Sequence, residues 1–221
     1  GVMFPILSSS QEDRGRLLSM TRRTIEVSCF IAFPMIVGFC AVAESFTLIL
    51  LTEKWLPSVP FMQLACLMVL FWPMQEINLQ IANSLGRSDL SLKLEIIKKI
   101  IGVGVALFTI PHGLMAMMWG QALCSCFNTV LDTYPSKKLL GYGLFSQVRD
   151  VLPSLLLALV MGTAVTLLSR LGLGVWETLI LQVAGGVLIY GGLAWLLGFK
   201  SFRYLLESIG ELLKDRRRRR A

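Results

Sequence analysis

Charge is scarce in this sequence. Asp, Glu, Lys and Arg make up 16% of its 221 residues, where a soluble domain carries about 25%, so there is too little polar surface to wrap the apolar majority in water. Histidine is nearly missing as well. The single one, His112, stands in a Pro111-His112-Gly113 turn, without the second histidine or acidic partners that metal or nucleophile chemistry needs, and reads as a loop residue. The five cysteines include no CxxC pair. Cys124 and Cys126 are two residues apart and point to nearly opposite sides of a helix, which argues against a shared metal; all five read as small packing residues. The chain opens on nothing like a cleaved signal peptide, which would need a basic n-region, a short apolar h-region and a small-residue cleavage site. It shows no soluble domain, low-complexity linker or internal repeat. No cofactor, metal or catalytic residue is expected.

What the sequence has in quantity is apolar length. Hydrophobic residues make up 55% of it, gathered into runs, and a hydrocarbon core of about 30 Å needs roughly 20 mostly apolar residues per helix. Six runs qualify as transmembrane helices: 27–51, 59–82, 96–110, 114–134, 151–171 and 176–197. The third is short, a deficit eased if Lys98 and Lys99 snorkel to the interface and the helix starts near Leu92. The expected fold class is therefore all-α, a multi-span integral membrane helical bundle.

The basic residues alternate between loops. Clusters at Arg14 to Arg23, Arg87 to Lys99, Lys137 to Arg149 and in the tail hold nineteen of the 21 Lys and Arg residues, and only Lys54 and Arg170 fall on the other side. By the positive-inside rule both ends of the chain are expected to be cytoplasmic. The net charge of +7 then needs no nucleic acid as partner, because the excess belongs to one membrane face. Trp55 beside Pro57 and Pro60 suits a tight external turn at headgroup depth, and Gly86 followed by Asp89 suits a short cytoplasmic loop with a helix cap.

Polar residues inside apolar runs carry the most functional information, since an acidic side chain at a helix centre costs roughly 2.5 to 3.5 kcal/mol on insertion scales. In the second run Glu76, Gln80 and Asn83 follow i, i+4, i+7 spacing and share one side, with Gln75 and Asn78 adjoining. In the fourth, Gln121, Ser125, Asn128 and Asp132 form a second stripe. Such stripes line a wet cavity or bond neighbouring helices, the latter at about 0.6 kcal/mol per bond, and both readings stand at this point. Glu76, Asn78, Gln80, Asn83, Gln121, Ser125 and Asn128 are the substrate-cavity candidates. Asp132, close to Lys137 and Lys138 in sequence, reads as an interfacial ion pair with them.

Several motifs in order resemble the polysaccharide flippases: Glu53-Lys54-Trp55-Leu56-Pro57-Ser58-Val59-Pro60, Leu85-Gly86-Arg87-Ser88-Asp89-Leu90, Lys93-Leu94-Glu95-Ile96-Ile97-Lys98-Lys99, and Leu140-Gly141-Tyr142 followed by Val151-Leu152-Pro153. The likeness is to the colanic acid and lipopolysaccharide exporters of the multidrug, oligosaccharidyl-lipid and polysaccharide transporter superfamily. It implies two six-helix lobes followed by two further helices, of which this chain resembles helices nine to fourteen. The opening Phe4-Pro5-Ile6-Leu7-Ser8 resembles the end of helix eight, so the resemblance makes the chain a C-terminal fragment whose partner is the missing N-terminal lobe. The division expected is a cytoplasmic segment at 1–26, four lobe helices at 27–138, a connection and two extra helices at 139–198, and a basic tail at 199–221. The implied activity is flipping of an undecaprenyl-diphosphate-linked oligosaccharide across the bacterial inner membrane by alternating access, with lipid-linked oligosaccharide and membrane lipids as partners. An exporter of drugs or lipids on the same fold is the alternative. A membrane glycan polymerase or ligase fits less well, because the outer loops are small.

In the tail, Phe199, Phe202, Leu205, Leu206, Ile209, Leu212 and Leu213 fall at helical spacing before five consecutive arginines. This suits an amphipathic helix on the inner leaflet, or a solvated basic end that fixes topology.

The orientation is tested by cysteine labelling of a cysteine-free background. A cysteine at Ser58 is expected to react with an impermeant maleimide from the periplasm and one at Ser88 is not; reversed labelling would invert the topology.

Overall fold

The computed structural model describes residues 14–169, 172, 174–199 and 201–204. Among the described residues seven bounded α-helices follow one another: α1 (Arg14–Leu50), α2 (Val59–Val69), α3 (Trp72–Ser84), α4 (Ser88–Thr109), α5 (Leu114–Leu140), α6 (Leu144–Leu168) and α7 (Val175–Leu196), with 3-10 turns at Glu53–Ser58 and Ile110–His112. No strand occurs among the described residues. The protein is an all-α, multi-span membrane bundle.

Among the described residues five helical stretches are long and apolar enough to cross a membrane: Gly15–Leu50, Glu53–Ser84, Leu114–Leu140, Leu144–Leu168 and Val175–Leu196. The expected count of six is not reached on composition. The third expected span is α4, whose 22 residues give about 33 Å at 1.5 Å per residue, long enough to cross, but Lys93, Glu95, Lys98 and Lys99 crowd the stretch from its second turn to its middle. The first helix starts at Arg14, far ahead of the apolar run, so its 37 residues extend well beyond the hydrocarbon. The second run is broken into α2 and α3 at Leu70 and Phe71. Pro73 lacks an amide hydrogen and its ring crowds the carbonyl one turn earlier, and Phe71 sits outside helical geometry at φ −97°, ψ 6°.

Pairings between side chains set the directions. Arg22 with Asp150 joins the starts of α1 and α6, and Val37 lies against Gly162 midway along both, so these two helices run parallel. Ser45 with Gln182 and Phe30 with Tyr190 make α7 antiparallel to α1. Gln75 with Thr129 and Asn78 with Ser136 make α3 and α5 parallel, while Lys98 with Asp132 makes α4 antiparallel to α5. The basic residues at the start of α1, in and after the α3–α4 loop and at the α5–α6 turn therefore lie at one end of the bundle, the end at which α7 finishes; the rest of the tail beyond Tyr204, with the expected amphipathic segment and arginine run, lies outside the described residues. Trp55, Trp119 and Trp176 are exposed at the other end, where an aromatic belt belongs.

The core runs along α1 and α6, through Leu17, Ile25, Phe33, Val151, Met161 and Val165, and is closed by Met74 and Ile81 of α3. Outside it the surface is apolar: Leu107, Phe108, Val187 and Leu188 all point outward. Lipid tolerates this where water does not. Helix association in lipid depends on close packing of small residues, and Gly162 is the closest case. A Cβ there would lie 2.5 Å from Val37 Cγ1, and a β-branched side chain on a helix has little rotamer freedom with which to retreat. Gly141 takes φ +72° and ends α5 by letting its own amide bond Lys137 O and that of Tyr142 bond Ser136 O, a left-handed cap that a glycine adopts without strain.

Gly162→Ala is expected to destabilise the α1–α6 pair by about 1 to 3 kcal/mol, read as a lower unfolding temperature in detergent. Val37→Ala in the same chain should restore most of it; an unchanged single variant would show that the helices are not in this register.

Candidate functional site

The two polar stripes face different surroundings. Asn78 is fully buried and its amide is consumed internally: Nδ2 donates to Gln147 Oε1 and to Met74 O, both at 2.8 Å, while Oδ1 accepts from Gln147 Nε2 at 2.9 Å and from the Ser136 hydroxyl. Gln147 Nε2 also donates to Tyr142 O at 3.1 Å. Asn78, Ser136 and Gln147 are each 0% exposed, so three helices meet in a closed polar knot. Gln75, one turn earlier on α3, donates from Nε2 to Thr129 Oγ1 at 2.8 Å and to Ser125 O at 3.2 Å. Ser125 in turn donates its hydroxyl to Met68 O. That carbonyl is freed where α2 breaks off, and in hydrocarbon such a group needs a protein donor.

Glu76 points the other way. It is exposed on the outer face of α3, and its Oε1 accepts a hydrogen bond from Gln80 Nε2 at 3.1 Å. Asn83 and Gln121 are half-buried toward opposite ends of the bundle. Asn128 is half-buried on α5 with its Oδ1 buried and without a hydrogen-bond partner. Of the seven candidates, Asn78 and Ser125 are thus tied into helix packing, Glu76 and Gln80 form an outward pair, and Asn83, Gln121 and Asn128 lie between.

The expected partner of Asp132 changes. Its carboxylate, 1% exposed, pairs with Lys98 Nζ of α4 at 2.9 Å, and Glu95 completes the triad, rather than the sequence-adjacent Lys137 and Lys138. For the same reason Lys98 does not snorkel outward; its side chain is 13% exposed and turned inward. Seen along the helices, Glu76, Lys98 and Asp132 occupy one depth, each about 12 to 15 Å from the basic end of its helix at 1.5 Å per residue.

Residues that the stripes did not reveal hold the remaining helices. Gln182 of α7, 1% exposed, accepts from Ser45 Oγ at 3.0 Å and donates to Val165 O at 3.3 Å. Tyr190 donates to Phe30 O at 2.7 Å. Asp150 accepts from Arg22 and from the Tyr142 hydroxyl at 2.7 Å, and burial, reinforced by that hydrogen bond, pushes the Tyr142 phenol above its ordinary value. Between α1, α6 and α7 an apolar groove of about 520 Å³ opens sideways, bounded by Gly38, Phe39, Met161, Val183 and Gly186. The signal for Gln182 was present in the sequence, as a lone amide inside an apolar run.

Comparison with known proteins bears on what such a bundle belongs to. Residues 1–60 match the family described as "Polysaccharide biosynthesis protein". Over 141 residues, 60% of this chain and 28% of the relative, the chain is 30% identical to an uncharacterised membrane protein in the cps region of Klebsiella pneumoniae. It is 25% identical over 134 residues, 60% of this chain and 27% of the relative, to the lipopolysaccharide biosynthesis protein WzxC of Escherichia coli strain K12. It is 20% identical over 163 residues, 73% of this chain and 34% of the relative, to the teichuronic acid biosynthesis protein TuaB of Bacillus subtilis strain 168. The chain is thus similar, over part of its length, to membrane and polysaccharide-biosynthesis proteins of bacteria. The chain spans about a third or less of the length of these curated relatives. No solved structure matches it significantly. The resemblance to proteins of polysaccharide biosynthesis agrees with these matches, and the family match takes in the 53–60 motif.

Lys98→Met would leave the Asp132 carboxylate buried without its cation, at a cost of about 3 to 5 kcal/mol. The expected outcome is a marked loss of thermal stability in detergent, largely recovered in the Lys98→Met/Asp132→Leu double variant. Equal stability of all three proteins would show that the pair is not formed.

Proposed function

We propose that the chain is the C-terminal part of a transporter that moves lipid-linked oligosaccharide, carried on undecaprenyl diphosphate, from the inner to the outer leaflet of the bacterial inner membrane during polysaccharide or lipopolysaccharide biosynthesis. The basic end of the bundle faces the cytoplasm. Flipping makes and breaks no covalent bond; its difficulty is to carry sugar and diphosphate through hydrocarbon, which calls for a polar, hydrated surface beside the lipid.

The observation that carries this reading is the outward Glu76–Gln80 pair. Most polar groups inside the spans are satisfied within the bundle, and an ionisable side chain left on the outer face of a span has to meet water or another polypeptide. The length of the relatives supports a second bundle as that other wall, with alternating access arising as the two bundles rock about a site between them. Gln80, Asn83 and Asn128 then extend the wall that Glu76 begins, and Asn78 and Ser125 hold it rigid from behind. Short outer connections, a six-residue 3-10 turn and a three-residue one, favour transport over glycan polymerisation or ligation.

Glu76→Gln in the full-length protein is expected to lower surface glycan export about tenfold, the equivalent of one charge-assisted contact of about 1.5 kcal/mol, with protein abundance near normal. Loss of the folded protein instead would assign Glu76 to packing.

A further inference from the structure

A second cavity, of about 620 Å³, lies at the basic end of the bundle, between the last turns of α5 and the first turn of α6. Its walls differ in kind. Val130, Tyr134 and Phe145 supply apolar surface and are themselves exposed, Phe145 at 84%. Lys137 supplies a cation whose stem runs along Gly143, where a Cβ would meet Lys137 Cγ and Cδ at 3.4 Å. Lys138 lies next to it with Nζ 6.0 Å from the Tyr134 ring. Opposite them α6 begins at Gly143, which provides no side-chain cap, so the first amides of a 25-residue helix point out of its end.

We infer that this cavity binds an anionic phospholipid, its phosphate against Lys137 and Lys138 and the opening amides of α6, its acyl chain along Val130 and Phe145. The chemistry of the walls selects that occupant. A free phosphate would use the lysines and amides but gain nothing from the aromatic and aliphatic wall, and a neutral lipid would leave the two lysines without counter-charge. The position agrees: the lysines lie at the end of the bundle where the other basic clusters lie, which is headgroup depth, and the apolar wall runs from there toward the hydrocarbon. The site is also distinct from the transport face. At 100° per residue Val130, Tyr134 and Lys137 occupy the side of α5 opposite Asn128 and Asp132, so the inference holds whatever the protein carries.

Native mass spectrometry of the purified full-length protein, titrated with phosphatidylglycerol or phosphatidylcholine of the same acyl chains, tests it. Phosphatidylglycerol is expected to be retained about tenfold more strongly or better, as two interfacial lysines imply. Lys137→Gln/Lys138→Gln, exposed positions that leave the fold intact, should bring the two lipids level. Lys93→Gln, another exposed lysine at the same end of the bundle, should not. Equal retention of both lipids by the unaltered protein would overturn the inference, as would the same loss in the Lys93 variant, which would assign the effect to diffuse surface charge. Displacement of the lipid by millimolar inorganic phosphate would overturn the lipid assignment in favour of a free-anion site.

Discussion

In hydrocarbon a polar side chain without a partner has no water to turn to, and the bundle depends on the place where this constraint is met on three helices together. Asn78 and Gln147 each donate to and accept from the other, with Ser136 closing the set. A reciprocal amide pair admits only one register and one rotation of α3 against α6. Once that is fixed, the remaining helices attach by a few polar contacts each: α1 to α6 through Arg22 and Asp150, α7 to α1 through Ser45 with Gln182 and Tyr190 with Phe30 O, and α4 to α5 through Lys98 and Asp132. Each such contact contributes little on average, about 0.6 kcal/mol; their value lies in what a mismatched register would leave unpaired.

Hydropathy made most of the architecture legible. The apolar runs located the spans, and the distribution of Lys and Arg put the loops on alternate sides, because these signals reside in each segment on its own. What a residue faces depends on neighbours far along the chain, and there the reading from sequence thinned out. Glu76 and Asn78 are two residues apart, about 200° around the helix, and one turns outward while the other closes the core. Asp132 was matched to the lysines five and six positions away, yet its partner lies 34 residues earlier. A lysine near the start of an apolar run reads as snorkelling when nothing reveals that an antiparallel helix offers a carboxylate at the same depth. Gln147 belongs to no stripe and so carries no signal in the sequence, and hydropathy averages across the break at Phe71.

The structure also divides labour among polar groups. Asn78, Ser136 and Gln147, where α3, α5 and α6 meet, bond one another and are closed to the outside. The Glu76–Gln80 face, by contrast, rests on a single side-chain contact and keeps acceptor capacity to spare. The transport proposed above, in which two bundles rock against each other, calls for this combination, since a wall that deforms when it binds loses the motion it is meant to transmit.

The parallel pairing of α1 with α6 sets a timetable for biogenesis. Arg22 is separated from Asp150 by 128 residues and Ser45 from Gln182 by 137. At about 5 to 20 residues per second, a ribosome needs on the order of ten seconds to make the partner after the first helix has left it. During that interval α1 has the nearer contacts of α2 and α3, such as Thr47 with Met62 and Phe33 with Phe71, but not those of α6 and α7. The α1–α6 and α1–α7 seams are therefore the last to close around α1, after its packing with α2 and α3 is already possible.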